Sequence, residues 1–231
     1  MIYREDIIMR LPEFHNTYTL NIFSDASIIG RPGQYHGCYG AVAVNQDNVI
    51  DTVYKLVSNT TNNNSEIKGI RAALSLAYKY KDQFKNINIF SDSQISVFGL
   101  KHYIYNWKYN PKTHQFFGSG KNPIANQNVF VECHNMMVEL DKCPTCNIKI
   151  YHQAGHVGKL FDSLVNACQV FCSSNGIKGK VDLNFIRYIS TYNTFVDNMS
   201  RSILRRSVDE VRHGNYCDPI EFIPTQKINK Y

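Results

Sequence analysis

The sequence predicts an α/β protein built around a mixed sheet of five strands. Three strand-like runs follow one another early in the chain, and two later ones are separated by segments with helical spacing of apolar residues. Strands joined by short turns pair antiparallel, whereas strands joined by helical crossovers are added parallel. We therefore expect three antiparallel strands followed by parallel additions, with helices on the flanks and an insertion before the last helix.

Local patterns predict the order of the elements. The strands are expected at residues 18–26, 37–46, 49–58, 86–91 and 147–152. The helices are expected at residues 66–84, 95–107 and 129–141. Ser65 is the expected cap of the first helix, because it follows a polar block and precedes an apolar stripe. Residues 109–126 contain Pro, Gly, Ser and Asn throughout, which indicates a loop or a loose extension.

Composition narrows the class of protein. A chain of 231 residues with 43% hydrophobic content can bury one good core. Charged residues make up 19%, which is too small a share for a disordered polyelectrolyte. The formal net charge of +6 suits a nucleic-acid partner, but it is weak support because many basic proteins bind none.

Cysteine usage and the first residues indicate a compartment. The chain has seven Cys, an odd number, and residues 1–10 lack the apolar segment of a secretory signal. No run reaches the roughly 18–20 apolar residues that a membrane helix needs. We expect a monomer with free thiols, without membrane association, in the cytoplasm or another reducing intracellular compartment.

Four carboxylates stand at the ends or beginnings of predicted elements. Asp25 and Asp92 each follow the tripeptide Ile-Phe-Ser at the end of a strand, and Glu66 opens a helix after an Asn-rich turn. Asp197 enters the last helix. Taken singly, each is better explained as a turn or cap residue. Converging together, they would repel one another unless divalent cations lay among them, and oxygen ligands suit Mg²⁺ or Mn²⁺.

Several motifs occur in a fixed order around these carboxylates. They are Asp25-Ala26-Ser27 with Gly30-Arg31-Pro32-Gly33, Thr61-Asn62-Asn63-Asn64-Ser65-Glu66, Asp92-Ser93-Gln94, Ile104-Tyr105-Asn106-Trp107, Gly155-His156-Val157-Gly158 and Asn193-x-x-x-Asp197. In this order and spacing they resemble the type 1 ribonuclease H family. The resemblance runs from about residue 18 to residue 199, with one interruption.

The resemblance implies an activity and a ligand set. Members of the family cut the RNA strand of RNA–DNA hybrids endonucleolytically and leave 5′-phosphate and 3′-hydroxyl ends. Asp25, Glu66, Asp92 and Asp197 would then ligate two Mg²⁺ ions, for which Mn²⁺ could substitute. His156, on a loop flanked by glycines, would assist proton transfer or product departure.

The resemblance also predicts substrate contacts. Neutral amides beside the carboxylates suit base edges and the 2′-hydroxyls that distinguish RNA from DNA, although Asn-rich turns also use such side chains locally. Arg31 replaces the Asn of many relatives with a cation suited to phosphate. The expected substrate-binding residues are Ser27, Arg31, Asn62, Asn63, Gln94, Trp107 and Asn193.

Two alternative functions stay open at this stage. One is another nuclease on the same fold, against which the Asn-Asn-x-x-Glu and Asp-Ser-Gln motifs argue. The other is a non-catalytic module that binds hybrids or double-stranded RNA. Such a module would be expected to lack at least one of the carboxylates, and all four are present.

The chain departs from the family pattern before its last motif. Residues 159–191 are inserted between the Gly-His loop and the Asn193-x-x-x-Asp197 motif. This insertion could be a lid, or it could extend the substrate face through Lys178, Lys180 and Arg187. An inert surface elaboration is an equally good explanation, because long insertions are tolerated. The expected division is an N-terminal extension at 1–17, a ribonuclease H-like domain at 18–203 and a tail at 204–231.

Two pairs of cysteines also need an explanation. Cys143 and Cys146 form a CxxC sequence, and Cys168 and Cys172 lie one helical turn apart in the insertion. A structural zinc ion could tie the insertion to the domain. We favour ordinary packing as small apolar side chains, because this spacing is not typical of zinc sites.

Overall fold

The computed structural model describes residues 7–30, 35–158 and 160–212, with side chains described for residues 9–30, 35–158 and 160–207. The strands in these ranges are β1 (Ile7–Met9), β2 (Thr19–Ile29), β3 (His36–Asn45), β4 (Asn48–Ser58), β5 (Asn86–Ser91), β6 (Lys108–Asn110), β7 (Gln115–Phe117), β8 (Asn147–His152) and β9 (Lys180–Val181). The α-helices are α1 (Leu11–Phe14), α2 (Asn62–Tyr80), α3 (Gln94–Phe98), α4 (Gln127–Asp141), α5 (Phe161–Asn175) and α6 (Leu183–Arg212).

The central sheet has the predicted five strands in the order β4-β3-β2-β5-β8. The pairs β2–β3 and β3–β4 are antiparallel, and β2–β5 and β5–β8 are parallel, so the predicted mixed sheet is confirmed. Ser24 of β2 lies beside Ser91 at the end of β5. This register places Asp25 and Asp92, the next residues, at the same edge of the sheet.

The two faces of the sheet carry different side chains. On one face, aliphatic residues such as Ile22 and Ile89 pack under α2 and α4. On the other face, aromatic residues such as Phe23 and Phe90 pack under α1, α5 and α6. Alternation along each strand produces both layers, because successive side chains point to opposite faces.

The predicted insertion is integrated with the N-terminal segment. β9 pairs in parallel with β1, and the backbone N–H of Asp182 donates to the Met9 carbonyl at 3.1 Å. Phe14 lies against Phe185 with ring centroids 4.4 Å apart. Because α6 begins at Leu183, the last part of residues 159–191 is the start of the helix that carries Asp197.

Several predicted boundaries differ from the structure. β2 runs on to Ile29, since it keeps its antiparallel partner β3 after β5 has ended. Thr61 caps α2 by accepting from the Asn64 N–H at 3.2 Å, whereas Ser65 is buried one turn inside.

The segments around residue 107 also differ from the prediction. The helix expected at 95–107 is α-helical only to Phe98, and it continues as a π turn (Gly99–Tyr103) and a 3₁₀ turn (Ile104–Asn106). The expected loop at 109–126 contains the hairpin β6–β7, where the rings of Tyr109 and Phe116 lie 5.1 Å apart. Within the described residues, no helix is long and apolar enough to cross a membrane.

Candidate metal centre

Three carboxylates meet at the edge of the sheet. Asp25 on β2, Glu66 in the first turns of α2 and Asp92 just after β5 have oxygen atoms that all lie within 4.8 Å of one another. Asp25 is 5% exposed. The three come from separate elements, so only the folded chain brings them together.

A close approach of helix to strand positions Glu66. Gly69, on the same face of α2 about one turn later, lies against the backbone of Asp25, and a Cβ there would be 3.3 Å from the Asp25 carbonyl oxygen. The helix can therefore lie close to β2. Asn62 lies one turn before Glu66, and its side-chain amide acts to lower the pKa of that carboxyl group, against the larger effect of burial.

Burial and mutual repulsion disfavour the ionised forms of these carboxyl groups. Burial, followed by the charge of Asp92, raises the pKa of Asp25 to about 8, although the N–H of Ala26 donates to it at 2.6 Å. Burial and the neighbouring carboxylates raise the pKa of Glu66 to about 9. Burial also raises the pKa of Asp92, against the opposing effects of Asn193 and His156.

The donor set fits a divalent cation. Carboxylate oxygens are the ligands that Mg²⁺ and Mn²⁺ prefer, and a cation would relieve the repulsion just described. Oε2 of Glu66 is buried and has no hydrogen-bond partner among the described residues. A Cβ at Gly155 would lie 2.5 Å from Oδ2 of Asp92, so the loop can approach this carboxylate only with a glycine at that position.

Asp197 lies on the same cleft but stands apart from the three inner carboxylates. It is 6% exposed on α6, and its Oδ1 accepts from the Ser27 hydroxyl at 3.4 Å. The same oxygen is 3.0 Å from Nε of Arg201, one turn further along the helix. This guanidinium offsets part of the negative charge of the cluster.

The cleft over these carboxylates has a volume of about 440 Å³. It is lined by Asp25, Ala26, Ser27, Ile28, Ile29, Asn62, Glu66, Asp92, His156, Asp197, Arg201, Leu204 and Arg205. His156 is exposed and has φ of 49°, in the left-handed region. The structure thus brings Ser27, Asn62 and His156 together with all four predicted ligands.

The remaining expected substrate contacts have different positions. Asn63 and Gln94 are exposed outside the lining of the cleft. Trp107 is half-buried, with its ring 5.4 Å from that of Phe130, so it packs against α4. Arg31 lies outside the described residues.

Asn193 lies behind the centre. It is 3% exposed, and its Nδ2 donates to Oδ2 of Asp92 at 3.0 Å. Gln153, which is 1% exposed, donates in turn to Oδ1 of Asn193 at 2.7 Å. This position differs from the exposed one that a contact to substrate requires.

Sequence reasoning missed three residues around the cleft. Arg201 and Arg205 follow Asp197 at intervals of four residues, and this spacing, which places side chains on one face of a helix, was the available signal. For Gln153 no local signal exists, because its partner is 40 residues away in sequence.

The two cysteine pairs lie on opposite sides of the sheet. Cys143 and Cys146 belong to the layer under α4, and Cys168 and Cys172 to the layer under α5 and α6. A single ion cannot reach both pairs. The six cysteines in the described part of the chain are free thiols.

Fold and site together define an α/β protein with a carboxylate centre at one edge of a mixed sheet. The profile of the ribonuclease H (RNase H) family matches residues 17–167, well over half of the chain. The chain belongs to the ribonuclease H family, and the resemblance found in the sequence is confirmed.

Curated relatives match over a shorter stretch. Ribonuclease HI of Haemophilus influenzae is 34% identical over 112 residues, and ribonuclease H of Actinobacillus succinogenes is 31% identical over the same length. The match covers 48% of this chain and 66% of each relative, so the chain spans just under two thirds of their length.

Solved structures are similar at lower identity. RNase H1 of Halobacterium salinarum is 19% identical with a TM-score of 0.38, covering 59% of this chain and 86% of the other. The RNase H domain of PFV is 16% identical with a TM-score of 0.46, covering 78% and 97%.

Proposed function

We propose that this protein is a ribonuclease H that hydrolyses the RNA strand of RNA–DNA hybrids, using two Mg²⁺ ions and leaving 5′-phosphate and 3′-hydroxyl ends. The observation that carries the proposal is the convergence of Asp25, Glu66 and Asp92, with Asp197 on the same cleft. Membership of the family and the names of the curated relatives support it.

The four carboxylates would hold the metal ions. When bound, two divalent cations provide an activated water and stabilise the leaving oxygen of a phosphodiester. The charges of Asp92 and Asp197 raise the pKa of both Asp25 and Glu66, so all four carboxylates act on one another. Asp197, on α6, lines the same cleft as Asp25 and would be the fourth ligand.

Other residues of the cleft would handle protons and phosphate. His156 projects from an exposed loop, where an imidazole can take a proton from the attacking water or deliver one to the leaving oxygen. Arg201 and Arg205 place guanidinium groups along one side of the cleft, where they can pair with phosphate oxygens.

Neutral polar groups near the carboxylates would select RNA. Ser27 and Asn62 line the cleft, and their uncharged hydrogen-bonding groups can contact a 2′-hydroxyl. Asn63 and Gln94, exposed outside the lining, would contact the more distant parts of a hybrid.

A cleavage assay tests this function. The wild-type chain should cut the labelled RNA strand of a hybrid in Mg²⁺, with no cutting in EDTA. Asp92→Asn should reduce the rate by at least about 100-fold while preserving the circular dichroism spectrum, because it removes one charged ligand. An equally active Asp92→Asn variant would refute the proposed centre.

The same assay separates the alternatives. Cutting of duplex DNA or single strands in preference to hybrids would favour another nuclease of this fold. Tight binding of hybrids without turnover in either Mg²⁺ or Mn²⁺ would favour the non-catalytic module.

A further inference from the structure

Behind the metal centre, two amides form a short chain of hydrogen bonds that ends on Asp92. Nε2 of Gln153 donates to Oδ1 of Asn193 at 2.7 Å, and Nδ2 of Asn193 donates to Oδ2 of Asp92 at 3.0 Å. Both amides are almost fully buried. Water therefore cannot readily replace the hydrogen bond between the two amides.

Chemistry fixes the direction of this chain. A carboxylate that ligates a metal ion is ionised and only accepts hydrogen bonds, so Asn193 must turn its NH₂ group toward Asp92. Its carbonyl oxygen then faces the opposite way and needs a donor. Gln153 provides that donor, and so it selects the orientation of the Asn193 amide that stabilises the charged form of Asp92.

Gln153 makes this contact at a cost. Its Oε1 is buried and has no hydrogen-bond partner among the described residues. Burying a carbonyl oxygen without a partner is unfavourable, because the oxygen gives up its hydrogen bonds to water. An apolar side chain of similar size would avoid this cost if packing were the residue's role.

The backbone places Gln153 well for this task. Its N–H donates to the carbonyl of Ser91 at 3.0 Å, so it extends the pairing of β8 with β5 to the residue before Asp92. Asn175, at the end of α5, braces the preceding residue: it accepts from the His152 N–H at 3.1 Å and donates to the His152 carbonyl at 2.7 Å.

We propose that Gln153 is a positioning residue, which acts through Asn193 to hold the Asp92 carboxylate in the orientation that a divalent cation requires. The inference rests on the proposed function, since it takes Asp92 to be a metal ligand. It also gives part of the insertion a role: α5 holds the strand end from which Gln153 reaches Asn193.

Metal affinity of the full chain tests this role. Mn²⁺ binding, measured by calorimetry, should weaken about 10-fold or more in Gln153→Met, in line with the effect of losing a group that orients a metal ligand. Gln153→Glu, which preserves the shape but cannot donate when ionised, should weaken binding similarly. If Gln153→Met does not fold, the Mn²⁺ affinity of Gln153→Glu tests the role instead.

A matched control separates positioning from stability. Asn88→Leu removes another buried amide, which donates from β5 to Oδ1 of Asn21 on β2 at 3.1 Å. It should lower the melting temperature and leave Mn²⁺ affinity within about twofold of wild type. A Gln153→Met variant that behaves like Asn88→Leu would overturn the inference.

Coupling between the two amides gives a second readout. If Gln153 acts through Asn193, the variant Asn193→Leu combined with Gln153→Met should bind Mn²⁺ no more weakly than Asn193→Leu alone. Additive losses would overturn the inference, even if the wild type binds Mn²⁺ and cuts hybrids. A wild-type protein that neither binds Mn²⁺ nor cuts hybrids would instead overturn the proposed function together with it.

Discussion

The two faces of the central sheet differ in the packing that positions the carboxylates of the metal centre. Under α2, small residues let the helix lie close to the strands, and a Cβ at Gly69 would be only 3.3 Å from the Asp25 carbonyl oxygen. Under α5 and α6, aromatic rings fill the space. The position of Glu66 is thus set by the close approach of α2 to β2. The position of Asp197 is set by the layer of aromatic rings on which α6 packs.

The aromatic side is a continuous row of stacked rings. In order, the row contains Tyr192, Phe23, Phe90, Tyr151 and Phe171, with neighbouring ring centroids 5.1–5.7 Å apart. It runs from α6 across β2, β5 and β8 to α5. The predicted insertion therefore belongs to the same layer of rings that positions Asp197.

Breaking the row of rings should have the largest effect. Phe90 is fully buried at its centre, and Phe90→Ala should lower the free energy of unfolding by about 3–5 kcal/mol through lost burial and a cavity. Urea denaturation measures this. Phe161→Ala, at a ring 63% exposed on α5, should change stability by less than about 0.5 kcal/mol. Equal losses of stability in the two variants would show that the row of rings does not stabilise the fold.

Breaking the close approach should have the next largest effect. Gly69→Val forces α2 away from β2, which should cost about 1–3 kcal/mol of stability and weaken Mn²⁺ binding together with it. Gly120→Val is the control, because a Cβ there meets no atom within 4 Å. Undiminished Mn²⁺ affinity in Gly69→Val would show that Glu66 does not need this approach.

The stability of the folded protein should depend on pH through the carboxylates of the metal centre. Without metal, the raised pKa values of Asp25 and Glu66 mean that the folded chain keeps protons that the unfolded chain releases. Stability should therefore fall as pH rises from about 4 to about 9, by about 1.4 kcal/mol per pH unit for each such proton.

Melting temperatures in EDTA between pH 5 and pH 9 measure this dependence. Glu66→Gln should flatten it, whereas Glu139→Gln, at an exposed residue paired with Lys142, should not. Saturating Mn²⁺ should also flatten the dependence, because the cation replaces the protons. Stability that rises with pH in EDTA would mean that these carboxyl groups are not buried together.

The smallest expected effect concerns the cations that α6 adds to the cleft. Arg205→Gln should weaken binding of a hybrid less than about tenfold and reduce the dependence of log affinity on log salt concentration by about one unit, as loss of one phosphate contact does. Arg206→Gln changes the same charge at an exposed neighbour outside the lining of the cleft. Equal salt dependence in both variants would remove Arg205 from the interface.

The sequence predicted the parts of the molecule that have local signals. Alternating apolar residues predicted the five central strands to within a few residues. The family motifs predicted that Asp25, Glu66 and Asp92 lie close together. Asp25 and Asp92 were predictable because equivalent residues of parallel strands share an edge. Their roles as metal ligands stay a proposal.

The parts that escaped prediction depend on contacts distant in sequence. β1 pairs with β9 across most of the chain, and short strands of two or three residues carry no periodicity of their own. The start of α6 at Leu183 was hidden because the insertion interrupts the family pattern. The buried amide of Asn193 is paired with Gln153, which no motif contains.

The pairing of β1 with β9 has a consequence for the order in which the centre is built. The inner carboxylates come from residues 25–92, so they can assemble once the first strands and α2 have formed. Asp197 requires α6, whose start is joined through β9 to β1, about 170 residues earlier in the sequence. Contacts between distant segments form late, because closing a long loop costs entropy before it yields stability. We therefore expect the protein to gain the full set of four carboxylates only when β1 and β9 have come together.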